Sequence, residues 1–195
     1  MRRRAWIGIG FVVVIVITAL LLWFSRAPAL SSVQSRSCIA SADACLRFPL
    51  ISGENLPGQA FSLPADFAGT RTLVIVPFDE AQQVNASTWL PLARELAQSQ
   101  PDFAYDNLPV FPGMSAPVRA FIRAGMNLTI PDAELRSLTI TVFLDDRDAF
   151  LAALNIPDID AMQVFLLNAD GDVIWRGAGE FTSEQGDSLR AALAG

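Results

Sequence analysis

Histidine and lysine are both absent from this 195-residue chain, so all 14 cationic side chains are arginine, and cysteine occurs only twice, at Cys38 and Cys45. Without imidazole there is no Ser-His-Asp or Cys-His nucleophile pair and no histidine metal ligand. Without lysine there is no Schiff base and no phosphate-loop ammonium. Chemistry is left to carboxylates, arginines and two thiols. The adjacent acids Asp79 and Glu80 diverge on a loop with no third carboxylate beside them, and Asp145 to Asp148 lacks calcium-loop spacing. No metal or cofactor is expected.

What the chain does have is a long apolar run. Ala5 to Phe24 carries no charge, about the length a helix needs to cross a bilayer. Arg2, Arg3 and Arg4 precede it and only Arg26 follows closely, which leaves the N-terminus in the cytoplasm and places the rest in the periplasm or outside. Trp6 and Trp23 stand where interfacial aromatics are favoured. This reads as a single-pass inner-membrane anchor over residues 1–26, meeting lipid through residues 5–24. The competing reading is a signal peptide cleaved at Ala27-Pro28-Ala29. Both export the domain.

Export bears on the thiols. Cys38 and Cys45 in an oxidising compartment form, most simply, a structural disulfide; a redox pair and free thiols are the alternatives. Ten arginines and 20 acidic residues lie beyond Arg26, a net charge near −10, so nucleic acid is not an expected partner. Residues 27–44 read as a tether and 45–195 as one domain with a full core.

Within that domain, Leu73 to Phe78 is an apolar run of the kind found in a strand covered on both faces. Trp89, Leu92, Ala93, Leu96 and Ala97 then recur at helical spacing around Pro91. Phe103 to Val110 predicts a strand, and Ser115 a cap for a helix carrying Val118, Phe121 and Ile122 inward, with Pro117 in its first turn. Leu138 to Leu144 predicts another strand, followed by a short helix with Phe150, Leu151 and Leu154 inward. Val164 to Leu167 and Val173 to Trp175, joined by Asn168-Ala169-Asp170-Gly171, predict a hairpin. Thr182 and Gln185 have capping-box spacing at the start of a last helix.

This order, ending in VFLLNADGDVIWRGAGEFTSEQ, resembles the thioredoxin-like fold: an α/β domain with a central mixed sheet flanked by helices and a C-terminal β-hairpin plus helix. In redox-active members a Cys-x-x-Cys opens the helix after the first long strand, where the helix N-terminus stabilises a thiolate. By spacing to Pro91, that slot holds Gln83-Val84-Asn85-Ala86, and Met162 stands where the family has a cis-proline. Thiol exchange at the usual site is excluded by residue identity.

Within the superfamily, the words LPADFAGTRTLVIVPF with Trp89, then Arg136-x-x-Thr139-Ile140-Thr141, FLDDRDAFLAALNI and VFLLNADGDVIWRGAG resemble the thioredoxin-like assembly factors of mitochondrial ATP synthase, the tenth-numbered ATPase-complex assembly family. That resemblance implies a membrane-associated, non-catalytic protein acting as assembly factor or chaperone for an integral membrane subunit. Family members work on the matrix side, whereas the arginines here place the domain outside. The alternative is an envelope thiol-disulfide oxidoreductase using Cys38 and Cys45.

Candidate partner-binding residues follow from position. Asp79 and Glu80 leave the C-terminal end of the central strand, where open α/β sheets hold ligands; a solvated loop is the competing reading. Gln83 and Asn85 offer neutral hydrogen bonding at the thiol-free slot, with helix capping the duller role for Asn85. Trp89 and Trp175 lie on inward periods, which favours core packing over partner contact. Arg136 and Arg176 flank strands, poised for an ion pair or for a partner's carboxylate. Gly177-Ala178-Gly179 reads as a turn, and the acids from Asp145 to Asp148 as helix caps.

Overall fold

The computed structural model describes residues 38–41 and 44–194. The apolar run at 5–24 and most of the 27–44 stretch lie outside the described residues. Among the described residues no helix is long and apolar enough to cross a membrane.

The described residues open with a small hairpin, β1 (Ala40–Ser41) and β2 (Ala44–Cys45), closed by a Cys38–Cys45 disulfide with Cα atoms 5.6 Å apart. The compact unit begins at Ser37, so this hairpin belongs to it. A second hairpin follows, β3 (Ile51–Asn55) and β4 (Ala60–Leu63). The central strand β5 (Arg71–Val76) leads into α1 (Gln82–Ser99), then β6 (Phe103–Asn107) and β7 (Val110–Pro112). Next come α2 (Ala116–Thr129), α3 (Ala133–Ser137), β8 (Ile140–Leu144) and α4 (Arg147–Ala153). The chain ends with β9 (Gln163–Asn168), β10 (Val173–Ala178) and α5 (Ser183–Ala194).

Two four-stranded sheets, in the orders β10-β9-β5-β6 and β4-β3-β8-β7, meet where β6 passes into β7. The Leu108 and Val110 amides bond the carbonyls of Ile75 and Pro77 on one side, while the Asn107 amide bonds Leu138 on the other. β5 runs parallel to β6 and antiparallel to β9, giving the expected mixed sheet. The single strand expected over 103–110 is thus two, because the chain shifts its pairing from β5 to β8 at residues 107–110.

Strand periodicity explains why β5 is apolar from Leu73 to Val76. Its side chains alternate between faces, so Leu73 and Ile75 join a core with Trp89, Leu92, Leu96, Val164, Leu166 and Leu189 under α1 and α5. Val74 and Val76 join the opposite core with Phe48, Leu63, Val142, Phe150, Phe165 and Val173. The turn between β9 and β10 uses Gly171 at φ +80, a conformation that favours glycine. The capping box is present, with the Gln185 amide donating to Thr182 Oγ1 and the Thr182 amide to Gln185 Oε1, each at 3.2 Å. Asp146 caps α4 by accepting from the Ala149 amide at 2.9 Å.

Helix α2 corrects the expected burial. It starts after Ser115 with Pro117 in its first turn, but none of its residues is buried and Ser115 makes no side-chain cap bond. Phe121 is 80% exposed and Val118 45%, while Ile122 is half-buried. The stripe faces an open cleft instead of the core.

Candidate functional site

The site forms where β5 ends. Strand β5 delivers Phe78 into the core, and the next two residues, Asp79 and Glu80, emerge exposed. Gln82 fixes the turn between strand and helix: its amide donates to Asp79 Oδ1 at 2.8 Å, its Oε1 accepts from the Phe78 amide at 2.9 Å, and its Nε2 donates to the Ile159 carbonyl at 2.7 Å. Buried with all these groups paired, Gln82 positions the loop and is not available to a ligand.

Gln83 is half-buried on the first turn of α1, with its Oε1 accepting from Asn107 Nδ2 at 3.3 Å. Asn107 Oδ1 is buried with no hydrogen-bond partner. Two neutral amides, one at the start of α1 and one at the end of β6, therefore meet beside the turn after β5. Asn85 is not the cap, because α1 already begins at Gln82; it is half-buried inside the helix, its carbonyl accepting from Thr88 Oγ1 at 2.6 Å. Met162, in the expected cis-proline position, is fully buried. Among the described residues the cis peptide is Leu63–Pro64 instead.

Facing Gln83 across a cleft of about 560 Å³ is α2. Asp79, Glu80 and Gln83 form one bank. Phe121, Ile122, Gly125, Met126 and Thr129 of α2, with Ile130 and Phe111, form the other. The apolar bank was missed as a ligand surface, although its spacing was visible. An i, i+3, i+4, i+7 stripe looks the same whether it meets a core or an open groove.

The other candidates are committed internally. Trp89 is fully buried, its indole donates to the Gly179 carbonyl at 3.0 Å, and its ring meets Trp175 edge-on at 6.0 Å. Trp175 is buried too, and donates to Ser188 Oγ at 3.0 Å. Both are core residues. Arg136 forms no ion pair among the described residues; it donates to the Ile130 and Pro131 carbonyls at 2.8 and 2.9 Å. Arg176 donates to Gln163 Oε1 at 3.0 Å, and its guanidinium lies 5.5 Å from the Phe165 ring centre. Neither arginine belongs to the cleft.

The disulfide lies at the other end of the sheet. The Ile39 amide bonds the Val173 carbonyl and the Val173 amide bonds the Leu46 carbonyl, both at 2.8 Å, beside the turn from β9 to β10. Asn168, just before that turn, pairs with Arg71 at the start of β5, whereas Gln163 pairs with Val76 at its end. The length of β5, roughly 16 Å at a strand's rise per residue, separates the disulfide from the cleft. Among the described residues no cluster of three or more Cys, Asp or Glu could hold a metal ion.

Asp106 stands apart from the cleft. It is 7% exposed on β6, paired in register with Val74, and its carboxylate makes no hydrogen bond or ion pair among the described residues. Burial pushes its carboxyl from the ordinary 3.8 up to about 7.

No protein-family model matches the sequence, and no curated protein matches it. Solved structures do. A thiol:disulfide interchange protein from Bacteroides sp. aligns at 17% identity over 78% of this chain and 91% of its own, with a TM-score of 0.50. BsSco, a member of the Sco family of cytochrome c oxidase assembly proteins, aligns at 12% identity over 77% and 93%, with a TM-score of 0.53. Copper-bound yeast Sco1 aligns at 12% identity over 77% and 94%, with a TM-score of 0.51. At such identities the likeness is one of fold. The chain has a thioredoxin-like α/β fold.

Proposed function

We propose that this chain is a membrane-tethered, non-catalytic thioredoxin-fold protein that binds a protein partner at the edge where its relatives in fold carry thiols, and that it serves as an assembly factor or chaperone for a membrane complex. The apolar cleft between α2 and Gln83 carries this reading. It is open, lined by residues of low reactivity, and placed where α/β sheets hold their ligands. The apolar run Ala5 to Phe24 and its flanking arginines support the tether, the inner-membrane location and the outward-facing domain. An ATP synthase subunit is the client that the sequence resemblance proposes.

The fold alone does not separate binding from thiol exchange, since an interchange protein and an assembly-protein family both share it. The residues favour binding. The lone disulfide lies across the sheet from the cleft and closes a hairpin.

The test is site-specific photo-crosslinking in intact membranes from position 121, with position 50 as an exposed control. Leu50 is 90% exposed. Adducts to an integral membrane protein from position 121 alone are expected. Adducts of equal yield from both positions, or catalytic insulin reduction by the full chain that disappears with Cys38→Ser, would overturn the proposal.

A further inference from the structure

Resting on that proposed binding role, the partner's chemistry can be narrowed. We infer that the cleft between α2 and the turn after β5 receives an apolar segment of a partner protein that carries an arginine or lysine next to its hydrophobic anchor.

The first ground is charge. Among the described residues, the ionisable ones that line the cleft are Asp79 and Glu80, both exposed. Asp79 spends one oxygen on the Gln82 amide, and Glu80, whose backbone carbonyl accepts from the Gln83 amide, has no partner for its carboxylate among the described residues. The two arginines of α2 do not offset them. Arg123 is paired with Glu54, and Arg119 lies 6.0 Å from the Phe143 ring centre. Neither lines the cleft. A segment entering it meets hydrocarbon on one side and uncompensated negative charge on the other, which favours a cation beside an apolar side chain and repels an anion.

The second ground is Gly125. It lies in the middle of α2, where glycine weakens a helix relative to alanine. A Cβ built there meets no atom within 4 Å, so neither close packing nor a positive φ calls for glycine. Its absent side chain leaves the wall open between Phe121 and Met126, room that this chain's own core does not use.

A second copy of the chain is a poorer fit. A two-fold contact over this face would bring two acidic banks together. A small neutral ligand would leave Phe121 exposed at the rim and make no use of the carboxylates.

The experiment uses the full chain in nanodiscs and two short fluorescent probe peptides with the same Leu-Phe-Ile core, one flanked by arginine and the other by glutamate. Anisotropy titrations compare the natural sequence with Gly125→Trp and with the pair Asp79→Asn plus Glu80→Gln. The arginine peptide is expected to bind about fivefold more tightly than the glutamate peptide, a preference that falls as salt rises. Neutralising the two acids brings the ratio close to one. Gly125→Trp weakens both peptides about tenfold while helicity and the unfolding midpoint hold.

Equal binding of the two peptides, or tighter binding of the glutamate one, overturns the inference and leaves the proposed function standing. So does undiminished binding to Gly125→Trp, which would put the peptides elsewhere, or failure of both peptides to bind. A dimer that Gly125→Trp dissociates would name a second copy as occupant and overturn it as well. The photo-crosslinking from position 121 judges the underlying binding role separately.

Discussion

Arg123 is ion-paired with Glu54, and one turn further along the same face of α2 Asn127 donates to the Leu56 carbonyl at 2.9 Å. Residues four apart share a helix face, so α2 is held by its polar side to the end of β3 and the turn that follows it. Its apolar side, Phe121, Ile122, Gly125 and Met126, is thereby turned to the cleft. An amphipathic helix usually docks the other way round. Here the polar contacts set the orientation, and the apolar stripe is left for something else.

The first prediction concerns that attachment. Arg123→Ala with Asn127→Ala should loosen α2 without unfolding the domain, because none of its residues is buried. A partly exposed ion pair contributes only about 0–1 kcal/mol. Hydrogen exchange should therefore accelerate across residues 116–129 with little change in the global unfolding midpoint. Unchanged protection in α2 would show that other contacts fix the helix.

Legibility in the sequence followed locality. The central strand, the β9–β10 turn with its glycine and the Thr182/Gln185 cap could be read because neighbouring residues decide them. The hairpin β3–β4 could not, since Ile51-Ser52-Gly53-Glu54-Asn55 has neither an apolar run nor a clean alternation. The stripe on α2 was visible, but its direction depends on Glu54 and Leu56, more than sixty residues away. The helix that carries Gln83 and Pro91 was legible from its spacing; the bank opposite it was not.

The second prediction concerns Gly125. Gly125→Ala should raise stability by about 0.5–1 kcal/mol, since alanine is the better helix former and its methyl meets open space. Denaturant titration of the exported domain measures this directly. A loss of stability would mean that the wall of the cleft closes against the helix in solution.

The third prediction concerns the disulfide. Closing a loop of eight residues restricts the unfolded chain by about 2.5 kcal/mol in the chain-entropy account. Cys38→Ser with Cys45→Ser should therefore lower the unfolding free energy by roughly that amount. Because the hairpin lies beside Val173 and not beside Gln83, crosslinking from position 121 should be unaffected. A double variant as stable as the natural sequence would instead point to a cysteine pair kept for its reactivity.

The last prediction turns on Asp106, whose carboxyl is raised from 3.8 to about 7 by burial. Between those values the folded chain holds a proton that the unfolded chain has released, so stability falls as pH rises through this window. Below about pH 4 both states are protonated and the group costs nothing; above about pH 7 the full penalty is present. At 1.36 kcal/mol per pKa unit the total reaches about 4 kcal/mol as an upper limit. Asp106→Asn removes the titrating group while keeping its shape. It should leave stability near pH 4 almost unchanged and raise it by a few kcal/mol at pH 8, flattening the pH profile. Urea unfolding of both proteins at the two pH values measures the difference. An Asp106→Asn variant less stable at pH 8 would mean that the carboxylate is charged and bonded in solution, reversing the sign of its contribution.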